Sequence, residues 1–385
     1  MKSSASSSRA ASARTRSPEG PRSPGGPGAG ESDARLFDLL AEHGHEQVSF
    51  WSDPASGYRG IIAIHDTTLG PGLGGTRFWP YGSDREALLD VLRLSRSMTY
   101  KNALADLTSG GGKAVIVADP ANAKREPLFR AHGRHIQALH GRYITAEDVG
   151  TSPADMAIVR TETPYVTGLI GKSGDPSPVT AWGVYRGMQA CARSHYGADS
   201  LAGRTVAIQG VGHVGYALAR LLREGGAKLI VSDLDPAKVR RAVEELGAQA
   251  AEADEIYGVA ADIFAPCALG GVINDRTLPR LRAAIVAGGA NNQLAEDRHG
   301  DLLAERGVLY APDFAINGGG VINLSAELHG WSAEYAMERA GGIYDTILRV
   351  FAVAEQEGIS SARAAERLAE RRIAAVKQER GSVAS

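Results

Sequence analysis

Apolar positions are almost absent from residues 1–33, and then fall into alternating helical and strand periods for the rest of the chain. The first stretch is Ser, Arg, Pro and Gly. It cannot bury enough surface to offset the entropy of ordering, so a disordered tail is expected there. The pattern next predicts a short helix over 34–43 and strands over 46–52 and 59–65. Residues 69–81 are glycine-rich, without helical period. Ser83 and Glu86 have the spacing of a capping box, which opens a long helix to Asn102 with Leu88, Leu89, Leu92 and Ser95 along one side. A glycine tract, a strand over 114–118, a helix over 124–139 and a strand over 143–146 follow. Ser152-Pro153 fits a helix start with proline at the first helical position.

Helical period resumes over 180–195. Strands over 205–209 and 228–232 then alternate with helices over 216–224 and from Asp235-Pro236 to Gly247. This alternation argues for a parallel sheet with helices on both faces. The last 55 residues read as helical, with an Arg/Glu-rich stretch over 361–379. There is no internal repeat.

Within the alternating part, Gly210-Val211-Gly212-His213-Val214-Gly215 has the form G-x-G-x-x-G. It follows a strand and opens a helix, the context that dinucleotide binding requires. The first glycine makes the tight turn, the second admits the pyrophosphate, and the third lets helix and strand pack. The helix N-terminus supplies N–H groups to phosphate. Asp233 ends the next strand. A carboxylate there accepts from a ribose 2′-hydroxyl and repels a 2′-phosphate, which favours NAD over NADP.

Composition narrows the picture. A formal net charge of −2 over 385 residues gives no polyanion-binding surface, so no nucleic-acid partner is expected. No run of 18 apolar residues exists, so no membrane span is expected. Cys191 and Cys267 cannot form a disulfide framework, which points to a reducing, cytoplasmic setting and to buried apolar roles for both. The histidines show no H-x-x-x-H spacing, and no metal site is expected.

Gly110-Gly-Gly-Lys113 lacks the first glycine and the Ser/Thr of a phosphate-binding P-loop. Its glycines suggest close approach of a substrate to the backbone. Lys113 then begins a buried strand, where desolvation would lower its pKa and make a useful amine. Lys101 lies near the end of the long helix and Asp148 after the strand over 143–146. All three stand at element ends and can converge on one cleft.

These segments resemble the Glu/Leu/Phe/Val amino-acid dehydrogenase superfamily, closest to its leucine/valine branch, over about residues 45–378. The carriers are Leu69-Gly-Pro-Gly-Leu-Gly-Gly-Thr-Arg77, Met98-Thr-Tyr-Lys-Asn102, Gly110-Gly-Gly-Lys113, Thr145-Ala-Glu-Asp-Val-Gly150, Pro176-Ser-Pro-Val-Thr180, Ala265-Pro-Cys-Ala-Leu-Gly270, Gly289-Ala-Asn-Asn-Gln293 and Gly318-Gly-Gly-Val-Ile322. The resemblance implies an α/β fold of two domains around a cleft. An N-terminal mixed-sheet substrate domain would cover 34–178 and a Rossmann NAD-binding domain 179–325. Helices over 326–385 would pack back on the first.

It also implies roles. Lys101 matches the lysine that binds the substrate α-carboxylate. Lys113 matches the catalytic lysine, and Asp148 the acid/base that exchanges protons with the amino group. Gly74 lies in a loop whose backbone touches substrate. Thr180 and Asn291 match residues around the nicotinamide and the substrate amine, and Ala268 and Leu269 the loop over the cofactor. The implied reaction is the reversible, NAD-dependent oxidative deamination of an amino acid to a 2-oxo acid and ammonium, in a homo-oligomer.

The resemblance places Leu73, Gly74, Ala146, Val321 and Leu324 around the substrate side chain. None is charged. Glutamate enzymes carry a lysine at the position of Leu73, and an unpaired glutamate carboxylate there would cost several kcal/mol. The Ala146 methyl narrows the pocket relative to the glycine of phenylalanine enzymes. Leu324 stands where the leucine branch usually has Val, and Gly318 where Ala is usual. A branched aliphatic substrate is expected. The alternatives are an aromatic amino acid, phenylalanine or tryptophan, or a non-catalytic NAD-binding sensor.

Overall fold

A computed structural model describes residues 36–169 and 175–383. The tail expected over 1–33 lies outside the described residues. The chain begins with α1 (Leu36–His43), β1 (Gln47–Asp53), β2 (Tyr58–Asp66), β3 (Gly72–Trp79), α2 (Asp84–Leu104), β4 (Gly110–Val117), α3 (Arg125–Gln137), β5 (Tyr143–Glu147) and α4 (Pro153–Arg160). The five strands form one mixed sheet in the order β1-β2-β4-β3-β5. β1 with β2 and β2 with β4 run antiparallel, while β3 runs parallel to β4 and to β5.

Both faces of this sheet are covered, which explains the continuous apolar runs of β2 and β4. Ile61, Ala63 and Val115 pack with Ala87, Leu88, Val91 and Leu92 of α2. Ile62, Ile64, Ala114 and Ile116 face Leu128, Phe129 and Ile136 of α3 and Met156 and Val159 of α4.

The main departure from the sequence reading lies here. The glycine-rich stretch 69–81 contains the central strand β3, and the triple glycine lies inside β4 rather than before it. Lys113 is therefore the fourth residue of an eight-residue strand. These glycines do not hold space for a substrate. A Cβ on Gly111 would lie 2.0 Å from Thr99 Oγ1, and one on Gly112 would lie 2.6 Å from the Tyr143 ring. They let α2 and a neighbouring side chain lie directly on the strand. The capping box is also half-formed. The Ser83 hydroxyl accepts from Glu86 N–H, but the Glu86 carboxylate takes the Gly82 N–H instead.

The second half follows as α5 (Ser177–Tyr196), β6 (Thr205–Gln209), α6 (His213–Glu224), β7 (Lys228–Ser232), α7 (Pro236–Leu246), β8 (Gln249–Ala250), β9 (Ile263–Pro266), β10 (Ile285–Val286), α8 (Arg298–Glu305), β11 (Leu309–Tyr310) and α9 (Asp313–Ile316). The helices α10 (Gly319–His329), α11 (Ala333–Gly341), α12 (Ile343–Glu357) and α13 (Ser361–Val383) end the chain. Its six strands form a parallel sheet in the order β11-β10-β9-β6-β7-β8. Asp235 caps α7 by accepting from Ala237 N–H, and Gly247 ends it in the left-handed region, as its sequence position suggests.

The two halves meet at the C-terminal end of α2. Tyr100, Ala103, Leu104 and Leu107 join the core formed by α5, α10, α12 and α13. Arg372 on α13 donates to the carbonyls of Asn102, Ala103 and Leu107 and pairs with Asp106 at 2.9 Å. It satisfies carbonyls that a helix end leaves without partners. Among the described residues, no helix is long and apolar enough to cross a membrane.

Candidate active site

Side chains alternate along β4. Gly111 and Val115 face α2, so Lys113 between them does too. Its Nζ lies 3.0 Å from Asp148 Oδ2, just past β5. Gly75 makes this approach possible, because a Cβ there would lie 3.0 Å from Asp148 Cβ and 2.4 Å from the Glu147 carbonyl oxygen. Arg77 Nε reaches the same Asp148 oxygen at 3.2 Å, and Arg77 Nη1 pairs with Asp90 Oδ2 on α2 at 2.9 Å. Burial alone would raise the Asp148 carboxyl pKa. The charges of Lys113 and Arg77 outweigh burial and hold it below the usual carboxylate range.

Lys101, in the last turn of α2, points to the second half and donates to Asn291 Oδ1 at 2.8 Å. The same oxygen accepts from Asn317 Nδ2 at 2.8 Å. Burial pushes the Lys101 amine down to about 8; Lys113 adds to this, while Asp313 and Asp148 oppose it. Asp313 is itself raised by burial, against the pull of Lys101. Lys101, Lys113 and Asp148 thus form one charged cluster, the two lysines buried and Asp148 half-buried, which the exposed Asn291 meets from the second half.

The sequence reading missed Arg77, Asp313 and Asn317. Arg77 closes a motif that the reading quoted. With 69–81 taken as a loop, however, no strand parity existed to turn it inward. Asp313 and Asn317 stand out as polar positions beside the buried residues Ala311, Ala315 and Ile316.

Leu73 on β3 is fully buried and Ala146 on β5 is 1% exposed. Their strands pair in register, Leu73 with Ile144 and Gly75 with Ala146. A Cβ on Gly74 would lie 1.9 Å from the Gly112 carbonyl oxygen, so this glycine is required by the neighbouring strand. Val321 is buried on α10. The Leu324 carbonyl accepts from Thr167 Oγ1 at 3.3 Å, and Glu327 accepts from the Gly168 and Leu169 N–H groups. These bonds fasten α10 to the segment after α4. Thr180, in the first turn of α5, donates to the Pro176 carbonyl at 2.8 Å. Its Oγ1 lies 3.2 Å from a Cβ built on Gly320. Among the described residues, no hydrogen bond joins Val321, Leu324 or Thr180 to the lysines.

The three glycines of the loop differ in what surrounds them. Gly210 has φ +90° and makes the turn after β6. Gly212 precedes α6, and a Cβ there would meet nothing within 4 Å. A Cβ on Gly215 would lie 2.0 Å from the Gly210 carbonyl oxygen, so the third glycine sets the helix against the strand. His213 begins α6, and Val214 packs 2.9 Å from a Cβ built on Gly289. Asp233 accepts the Val211 N–H at 2.9 Å and the Asp235 N–H at 2.9 Å, which fixes its carboxylate against the loop. Ala268 lies over Gly210, and Leu269 beside it is 75% exposed. An open backbone at the second glycine, next to a helix N-terminus and a fixed carboxylate, suits the phosphates and ribose of NAD.

Other candidate groups differ. Asp275, Glu296 and His299 come together with metal-ligand geometry, which the sequence reading did not anticipate, but Arg298 already donates to both carboxylates. Cys191 is buried, and burial pushes the Cys267 thiol up to about 11, so Cys267 is not a thiolate at neutral pH.

Comparison with known proteins bears on all of this. Residues 45–165 match the family model of the Glu/Leu/Phe/Val dehydrogenase dimerisation domain, and residues 234–381 that of Glutamate/Leucine/Phenylalanine/Valine dehydrogenase. Residues 181–281 match the NAD-binding domain of D-isomer specific 2-hydroxyacid dehydrogenases. The chain is 58% identical to leucine dehydrogenase of Geobacillus stearothermophilus over 348 residues, 90% of this chain and 95% of that one. It is 48% identical to L-tryptophan dehydrogenase of Nostoc punctiforme over 88% of this chain and 96% of that one. The crystal structure of the Nostoc punctiforme enzyme superposes with a TM-score of 0.79, covering 89% of this chain and 100% of that one at 45% identity.

Proposed function

Since the chain belongs to the Glu/Leu/Phe/Val dehydrogenase family, we infer that it catalyses the NAD-dependent oxidative deamination of branched-chain L-amino acids. An amino acid, NAD⁺ and water give a 2-oxo acid, ammonium, NADH and a proton. The observation that carries this reading is the Lys113–Asp148 contact at 3.0 Å, with Lys101 held by Asn291 beside it. The cluster has both cations and a carboxylate where charge must change during deamination.

Lys101 is assigned the substrate α-carboxylate, since a buried ammonium there needs an anionic partner. Asp148, kept ionised by its neighbours, takes a proton from the substrate ammonium. A nicotinamide bound there would supply the acceptor for the Cα hydride. Lys113 then orients and activates water at the resulting imine carbon. Asp148 returns a proton to the departing nitrogen as the carbinolamine collapses. Gly210, Gly212, His213, Val214, Gly215 and Asp233 would hold the dinucleotide, with Thr180, Asn291, Ala268 and Leu269 around its nicotinamide end. Closure of 34–178 against 179–325 would exclude water.

The uncharged residues Leu73, Ala146, Val321 and Leu324, together with Gly74, are assigned the substrate side chain. They favour aliphatic groups and disfavour glutamate. We also assign the protein to a cytoplasmic homo-oligomer. The match to a dimerisation domain and the two unpaired cysteines support this.

The test is NADH formation by the purified protein with NAD⁺ and L-valine, L-leucine, L-isoleucine, L-phenylalanine, L-tryptophan or L-glutamate. The expected result is turnover strongest in the aliphatic set. Stronger turnover with phenylalanine or tryptophan would move the substrate assignment to the aromatic alternative. No turnover with any of them, in protein that binds NADH, would leave a sensor.

A further inference from the structure

Asp148 receives both of its side-chain partners on one oxygen. Lys113 Nζ and Arg77 Nε both make their shortest contact to Oδ2, at 3.0 Å and 3.2 Å, and no side-chain hydrogen bond to Oδ1 is found among the described residues. Arg77 is anchored in turn. Its Nη1 pairs with Asp90 Oδ2 at 2.9 Å, and that oxygen also accepts from the Tyr81 hydroxyl at 2.6 Å. The side chains of Arg77, Asp90 and Asp148 are all under one-fifth exposed. A chain of contacts thus runs from Tyr81 through Asp90 and Arg77 to the carboxylate.

The two cations differ in chemistry. An ammonium assigned to water activation must be able to change its charge. A guanidinium does not lose its proton in a protein. A second, permanently charged partner keeps the carboxylate paired while Lys113 serves the water. We propose that Arg77 is a positioning residue that supplies the charge-invariant partner of Asp148, holding its Oδ2 so that Oδ1 exchanges the proton with the substrate amino group. Asp90 and Tyr81 fix the guanidinium in its plane. This proposal rests on the acid/base assignment of Asp148.

The test compares pH profiles of kcat/KM for L-leucine in the wild type and in Arg77→Met, Arg77→Lys and Asp148→Asn, each checked for NADH binding and thermal midpoint. Removing a cation from a carboxylate raises its pKa by about one unit or more. In Arg77→Met the acidic limb is expected to move to higher pH by about one unit, so loss of activity is about tenfold at low pH and smaller on the alkaline side. Arg77→Lys should restore the limb toward its wild-type position. Asp148→Asn should be nearly inactive throughout. An Arg77→Met profile lowered equally at every pH, or an Arg77→Lys variant no better than Arg77→Met, would overturn the proposal. Retained activity in Asp148→Asn would instead overturn the acid/base assignment beneath it.

Discussion

In the first sheet, a methyl group added at Gly74, Gly110 or Gly111 would lie within 2.0 Å of protein atoms; in the glycine loop, one added at Gly212 meets nothing within 4 Å. The first set lets the chain approach itself. Strand lies against strand at Gly74, and helix against strand at Gly111. These contacts bring Lys101, Lys113 and Asp148 together. In the second set, only Gly210 and Gly215 meet protein, and Gly212 leaves backbone facing open space. Glycine-rich segments next to a site therefore mean two things: a packed backbone that builds the catalytic cluster, and an exposed backbone that receives a ligand.

This contrast can be broken by experiment. The largest effect is expected from Gly111→Ala. Its Cβ would press on Thr99 and on the Ser95 carbonyl, so α2 must lift from the sheet. A loss of about 3 kcal/mol or more is expected in urea denaturation, with activity falling in parallel. A variant of wild-type stability would show that the sheet does not need that contact.

The next effect is acid lability confined to the first half. Burial lowers the pKa of His45 to about 3, of His65 to about 4 and of His132 to about 3. Their folded forms stay neutral where the unfolded chain takes up protons near pH 6.5. Stability from these groups is thus complete above about 6.5 and declines as pH falls toward 3–4, by about 2 kcal/mol at pH 5 for a fully buried histidine. His132 is the strongest case, since its ring nitrogens are bonded to Tyr58 and Thr76 hydroxyls. Hydrogen exchange at pH 5 should show β2, β3 and α3 opening before β6 and β7. Uniform opening would contradict the contrast.

Gly212→Ala comes third and should affect binding alone. NADH affinity is expected to fall about tenfold, about 1.4 kcal/mol, in fluorescence titration, with an unchanged denaturation midpoint. The smallest effect is a pH dependence. Lys101 titrates at about 8, so 2-oxo acid affinity in the presence of NADH should decline above that pH as the ammonium loses its charge. A flat profile to pH 9 would remove Lys101 from carboxylate binding.

The same contrast explains what the sequence reveals. The dinucleotide loop is legible because its requirements are local: a strand, three glycines at fixed spacing, a helix and an acidic residue at the next strand's end. β3 is not legible as a strand. Gly72, Gly74 and Gly75 have no side chains to show a period of two, and their reason for being glycine lies in Gly111, Gly112 and Glu147 far along the chain. Lys101, Lys113 and Asp148 can be singled out by residue type and family resemblance, but the pairing of Arg77 with Asp148 cannot. It depends on strand parity in a segment whose strand is invisible. The cross-contact of Lys101 with Asn291 likewise depends on how α2 meets the second half.

The central claim is that the Lys113–Asp148 pair carries the chemistry while the glycine loop carries only the cofactor. The most direct measurement is single-turnover NADH formation from L-leucine by Lys113→Ala and wild-type protein, each saturated with NAD⁺. The expected result is a rate lowered about a thousandfold with NADH affinity unchanged. A rate within a few fold of wild type, with cofactor affinity lost instead, would contradict it.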